Sequence, residues 1–126
     1  MRFCLDSWAV LRWLEGVEPA ATRAQRLLRQ RPVMNWINAG EVYYVLTRLA
    51  GEDRAMAVVR DMRRRLTLEV PTAERVLEAA GIKAVNRLAY AEAFAVATAI
   101  AHRATLVTGD SELLKQGTGW TEEDLR

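Results

Sequence analysis

A three-layer α/β/α fold with a short, mainly parallel central sheet is predicted for this chain by three observations. Short apolar runs alternate with helical patterns from end to end, the order that builds parallel sheets covered on both faces. One helical pattern near the end is apolar almost all round, as a central buried helix is. No repeat, linker or low-complexity segment divides the 126 residues, so residues 1–126 read as a single domain with a core of ordinary size.

Arg2–Leu5 reads as a short buried strand and Ser7–Leu14 as an apolar helix stopped by Gly16, which puts Asp6 at a strand's carboxyl end. Pro19 suits an early helical position. Ala20–Gln30 then forms a helix with Ala24, Leu27 and Leu28 inward and arginines outward, ended by Pro32. Val33–Trp36 is the second strand. Asn38 can cap a helix running to Ala50 with Gly51 just beyond, which places Glu41 in its first turn.

Glu52–Leu66 is amphipathic, with Ala55, Met56, Val59, Met62 and Leu66 inward and a basic outer face. Leu68–Val70 is the third strand, closed by Pro71. Thr72 caps the next helix, with Glu74 and Arg75 in its first turn and Val76, Leu77 and Ala80 on its apolar face. Leu88–His102 is the helix apolar nearly all round. Thr105–Val107 is the fourth strand, Thr108-Gly109-Asp110 a tight turn, and Ser111–Gln116 a short helix. Trp120 belongs to a candidate last strand ahead of an acidic end expected to fray.

Four apolar stretches each carry one carboxylate as their only formal charge. Asp6 stands between Arg2 and Arg12, Glu41 between Arg31 and Arg48, Glu92 between Arg87 and Arg103, and Asp110 between Arg103 and Glu112. Burying an unpaired carboxylate is costly, and no basic residue lies in these windows to compensate. A divalent cation is the simplest partner for several converging carboxylates. Each acid also has a structural reading. Asp6 and Asp110 suit helix starts, and Glu41 in a first turn favours the helix dipole. Glu92, inside Ala89-Tyr90-Ala91-Glu92-Ala93-Phe94-Ala95-Val96-Ala97, has the weakest structural excuse and is read as a site residue.

Composition narrows the classes further. No apolar run approaches the length of a membrane span, and an acidic residue falls where a signal peptide is apolar, so a soluble, cytoplasmic protein is expected. The single cysteine, Cys4, allows no internal disulfide and no zinc site of the Cys/His kind. The net charge is only +2, but Arg23, Arg26, Arg29 and Arg31 form one group and Arg60, Arg63, Arg64 and Arg65 another. Such groups suit phosphate backbones as well as a solvated helix face. Gly117-Thr118-Gly119 lacks the following lysine and Ser/Thr of a phosphate loop.

The order of these acids resembles the PIN domain, a family of small metal-dependent ribonucleases. Its first motif matches Phe3-Cys4-Leu5-Asp6-Ser7 and its second Asn38-Ala39-Gly40-Glu41-Val42. The third matches the helix from Leu88 to Ala99 around Glu92, and the fourth Val107-Thr108-Gly109-Asp110-Ser111-Glu112-Leu113. Size and layout are most similar to the toxins of VapBC toxin–antitoxin modules. Two departures stand out: Glu92 occupies a position where these toxins usually carry Asp, and a serine common at the position of Ala89 is missing.

The resemblance implies a Mg²⁺- or Mn²⁺-dependent endoribonuclease that cuts tRNA or rRNA loops to 3′-hydroxyl and 5′-phosphate ends. Asp6, Glu92 and Asp110 would hold the metal directly or through water, Glu41 a metal-bound water or second ion, and Ser7 and Thr108 would orient carboxylates or touch phosphate. It further implies a homodimer and a cognate antitoxin whose arginine neutralises the acids. Trp8, Trp13, Trp36 and Tyr90 are candidates both for base stacking and for core packing. Alternatives are a PIN-like protein that binds RNA or a partner without efficient cutting, a receiver-like signalling domain, and a metal phosphatase. The receiver reading is disfavoured because the third strand ends Leu68-Glu69-Val70-Pro71 without a phosphoacceptor Asp.

Overall fold

The computed structural model describes residues 2–114, 116 and 119–126. Five strands, β1 (Phe3–Leu5), β2 (Val33–Asn35), β3 (Thr67–Glu69), β4 (Thr105–Thr108) and β5 (Glu122–Asp124), form one sheet in the order β3-β2-β1-β4-β5. Every neighbouring pair is parallel. Side-chain alternation sorts the strands between two faces. Phe3, Leu5, Met34 and Val107 enter one core with α1 (Ser7–Glu15), α2 (Ala20–Leu28), α3 (Trp36–Ala50) and α4 (Glu52–Arg65). Cys4, Val33 and Leu106 enter the other, with α6 (Tyr90–Ala101) and α7 (Ser111–Leu114). The remaining helix, α5 (Ala73–Val85), packs on α6 through Ala79, Ala93, Phe94 and Ala97. The expected three layers are therefore present. Among the described residues no helix is long and apolar enough to cross a membrane.

Several local expectations are corrected. Asn35, not Asn38, caps α3, its side chain accepting from the Ile37 N–H at 2.9 Å. The helix thus begins at Trp36, and Glu41 falls in its second turn. Asn38 lies inside the helix, buried, and donates to the Ala91 carbonyl oxygen at 2.8 Å. The apolar helix is shorter than expected, because Leu88 and Ala89 are extended ahead of Tyr90. Met56 and Leu77 are 37% and 72% exposed rather than inward. Among the described residues α5 packs chiefly on α6, so its buried stripe is narrow and centres on Ala79.

The chain's end does not fray. It forms β5 against β4, Leu125 is buried, and Arg23 grips Glu123 through two hydrogen bonds of 2.9 and 3.0 Å. The helix expected to reach Gln116 is described to Leu114. Lys115, and the Gly117-Thr118 pair of the discounted phosphate loop, lie outside the described residues.

Candidate metal centre

The chain leaves β1 for β2 and β3 on one side and adds β4 and β5 on the other, so β1 and β4 are neighbours at the point where strand order reverses. The segment after β1 enters α1 on one face, and the segment after β4 enters α7 on the opposite face. Their divergence opens a crevice at the strands' carboxyl ends, the usual ligand position in such sheets. Asp6 and Asp110 flank it directly.

Asp6 is only 3% exposed, and both of its carboxylate oxygens are occupied. Oδ1 accepts from the Ala9 N–H at 2.9 Å, capping α1, while Oδ2 accepts from the Thr108 hydroxyl. Thr108 Oγ1 in turn accepts from the Asp110 N–H at 3.0 Å. Asp110 Oδ1 accepts from the N–H groups of Glu112 and Leu113, so Asp110 starts α7. The structural and functional readings of both aspartates hold together, since capping fixes each carboxylate where the crevice needs it.

Glu41 and Glu92 arrive from helices. The Ser7 hydroxyl donates to Glu41 Oε1 at 2.6 Å, tying α3 to the start of α1. Glu92 stands at the third position of α6 and its Oε1 accepts from the Ala89 N–H at 2.9 Å, half of a capping box. Ala89 has no side-chain oxygen to return the bond. The longer arm of Glu therefore has a structural role that no feature of the sequence pattern assigns to it. Its other oxygen, Oε2, is buried and meets no donor among the described residues.

The electrostatics follow from this crowding. Burial pushes the Asp6 carboxyl up to about 7, against the opposing hydrogen bonds from Thr108 and Ala9, with Asp110 and Glu41 adding repulsion. Glu92 is raised as well, first by burial and then by the carboxyls of Asp110 and Glu41. Among the described residues no Lys, Arg or His forms an ion pair with any of the four acids. The expectation of four buried acids needs one correction: only Asp6 is fully buried, while Glu41, Glu92 and Asp110 are half-buried and open to the crevice.

An all-oxygen donor set short of positive charge, with the orphaned Glu92 Oε2 inside it, fits a hard divalent cation. Among the described residues no three acids, histidines or cysteines form a ready-made cage. A hydrated ion such as Mg²⁺ needs only one or two direct carboxylates.

Two supports escape a reading of the sequence. Asn38 ties α3 to α6 through Ala91, setting Glu41's helix against Glu92's, and its own Oδ1 is buried without a donor. Gly109 lies under the indole of Trp8 so closely that a Cβ there would overlap the ring. Nothing in Thr108-Gly109-Asp110 identifies that partner. Trp8, Trp13 and Trp36 all pack against the core, and Tyr90, 44% exposed, is the aromatic candidate most open at the head of α6.

Known proteins share this fold. The model of the family described as "PIN domain" matches residues 3–117. The chain superposes on VapBC from Salmonella typhimurium bound to DNA with TM-score 0.79 at 18% identity, covering 100% of this chain and 99% of that one. VapBC2 from Rickettsia felis, bound to a promoter DNA fragment, gives TM-score 0.78 at 15% identity with both chains fully covered. A Mycobacterium tuberculosis VapC toxin that cleaves the sarcin–ricin loop gives 0.73 at 17% identity, covering 93% of this chain and 95% of that one. A search by sequence among curated proteins finds no match.

Proposed function

Because this chain belongs to the PIN domain family, we propose that it is a divalent-metal-dependent endoribonuclease, the toxin of a type II toxin–antitoxin module. The observation that carries the reading is the convergence of Asp6, Glu41, Glu92 and Asp110 at the reversal point of the sheet, where among the described residues no cationic side chain pairs with them and no donor reaches Glu92 Oε2.

In this reading Asp6, Glu92 and Asp110 hold Mg²⁺ or Mn²⁺, and Glu41 holds a bound water or second ion. A divalent ion held there would supply the chemistry that these residues lack, activation of water and relief of phosphoryl charge. The chain's own residues set the stage. Thr108 anchors Asp6 and the Asp110 backbone, Ser7 fixes Glu41, and the capping bonds hold both aspartates against rotation. His102 is engaged with Glu69 at 2.8 Å, so proton transfer falls to water and carboxylates rather than imidazole.

Loops of tRNA or rRNA are the proposed substrates, because single-stranded bases splay and leave the backbone accessible. A cognate antitoxin, a homodimer of one-domain subunits and a cytoplasmic location complete the proposal. Two of the similar structures are VapBC complexes, which supports the antitoxin. Purified protein incubated with total tRNA and rRNA in Mg²⁺, Mn²⁺ or EDTA tests it. Discrete metal-dependent cuts that vanish in Asp6→Asn are expected. Absence of cutting under every metal condition overturns the nuclease assignment.

A further inference from the structure

We propose that a basic groove along the open edge of the sheet, separate from the four acids, binds the phosphate backbone of the RNA substrate. The inference rests on the ribonuclease reading and extends it to how a long RNA is held. Its starting point is Arg31, which links the two arginine groups. The Arg31 guanidinium donates to the carbonyl oxygens of Arg64 at 3.0 Å and Arg63 at 3.4 Å. Arg31 adopts a left-handed backbone, φ 51°, and capping the C-terminal end of α4 gives that strained residue a structural role. The cap does not account for the other cations gathered beside it.

Two cavities meet there. One, of about 360 Å³, is walled by Arg2, Gln30, Arg31, Thr67 and His102. The second, of about 340 Å³, is walled by Arg31, Trp36, Arg63 and Thr67. They share Arg31 and Thr67, so they form one groove that begins where the strands begin and passes β3, the edge strand. It ends at Trp36, one residue beyond β2. Since Cys4 pairs with Val33, Asn35 stands level with Asp6, and the far end of the groove reaches the sheet end that carries the acids. The strand length to be crossed is roughly 10 Å.

Charge and shape favour a nucleic acid backbone. Among the described residues Arg2, Arg31 and Arg63 join no ion pair, whereas Arg23, Arg65 and Arg75 each have a carboxylate. The Arg63 guanidinium lies 4.8 Å above the Trp36 ring, and both line the second cavity. Arg31 is committed to the α4 carbonyls, which leaves the guanidinium forks of Arg2 and Arg63 to match phosphate oxygens in two-donor geometry, and an aromatic among cations is the pattern that tracks single strands. Glu69, the acid two residues beyond Thr67, is already neutralised by Arg75 and hydrogen-bonded to His102.

The test compares Arg2→Glu/Arg63→Glu with Arg2→Gln/Arg63→Gln, in full-length protein checked by melting temperature. Binding is read on bulk bacterial tRNA in an Asp6→Asn background, where cutting does not interfere. Roughly tenfold weaker binding is expected for the Glu pair, with the slope of log affinity against log salt reduced by about 1 for each phosphate no longer engaged. The Gln pair should show the same reduction in slope without added repulsion. With Asp6 intact, cleavage of tRNA and of a single strand of roughly 10 nucleotides should both fall in the Glu pair, that of the longer RNA by more. Unchanged tRNA affinity and slope in folded variants overturn the groove, as does an equal weakening for polyglutamate, which would mark an acidic-peptide surface. Failure of the ribonuclease reading shows separately, as no cutting of either RNA by the unsubstituted chain, and leaves the binding comparison decisive for the groove.

Discussion

Thr108 donates its hydroxyl proton to Oδ2 of Asp6 across the carboxyl ends of two adjacent strands, and the same hydroxyl oxygen accepts from the Asp110 N–H. One small side chain thus fixes two of the four acids. Both Thr108 and Asp6 are buried, so bulk water does not replace the bond between them. The buried threonine is the hinge on which the crevice's geometry turns.

Thr108→Val keeps the shape and removes both bonds. Asp6 Oδ2 and the Asp110 N–H are then left without partners, an expected loss of about 2 kcal/mol in urea unfolding. Cleavage should fall by more than the population of unfolded protein explains, because Asp6 and Asp110 no longer share an anchor. A variant as stable and as active as the parent would show that Thr108 is filler.

The Asp6 carboxyl predicts an unusual pH dependence. Its folded value of about 7 lies above the ordinary value of about 3.9, so the folded state holds the proton more tightly. Stability linked to this group is present in full below about pH 4 and is lost as pH rises through about 7, by up to about 4 kcal/mol. Asp6→Asn, which still caps α1, should therefore melt higher than the parent at pH 8 in EDTA and flatten the profile. Mn²⁺ should restore much of the parent's stability by replacing the proton. A parent whose melting temperature in EDTA falls no more steeply with pH than the Asn variant's would contradict the proposed burial of charge.

How much of the molecule is legible in the sequence depends on distance along the chain. Alternation of strands and helices is a local signal, and the parallel three-layer sheet follows from it. The four acids are legible because each lacks a basic neighbour within its own window. Asn38 resembles a cap in the sequence, but Asn35, three residues earlier, offers the same chemistry, and the pairing of β2 with β3, which runs to Asn35 and Glu69, decides where the strand ends. The overlap of Trp8 with Gly109 and the bonding of Arg31 to α4 join segments far apart in sequence, so no periodicity encodes them. Leu77 is exposed because, among the described residues, α5 packs chiefly on α6, a fact of neighbours rather than of pattern.

Ala89→Ser should stabilise the fold. Glu92 Oε1 already accepts from the Ala89 N–H, and a serine oxygen at the cap could accept from the Glu92 N–H, completing the reciprocal pair. The gain expected is about 1 kcal/mol in urea unfolding. Pinning Glu92 from both sides should also preserve metal-dependent cutting. A destabilised Ser variant would mean that the extended approach to α6 at Leu88 and Ala89 does not tolerate a polar side chain.

Glu69 marks a polar network that the sequence does not announce, since Leu68-Glu69-Val70 reads only as a strand end. Arg75 donates to both Glu69 oxygens at 2.8 and 3.0 Å, His102 reaches Oε1 at 2.8 Å, and the Asn35 amide donates to Oε2 at 3.2 Å. The Asn35 amide is thereby oriented so that its oxygen caps α3, the helix carrying Glu41. Arg75, followed by His102, outweighs burial and holds the Glu69 carboxyl at about 2, below its ordinary value of about 4.3. Stability from this group is present above about pH 4 and is lost as pH falls through about 2. Glu69→Gln keeps an acceptor for Asn35 but removes the charge, so about 2 kcal/mol should be lost at pH 7. The gap from the parent should narrow to under about 1 kcal/mol below pH 3, because the parent's own carboxyl is then being protonated. Urea unfolding at the two pH values measures it, and a gap that stays constant with pH would assign the loss to packing rather than to the Glu69–Arg75 ion pair.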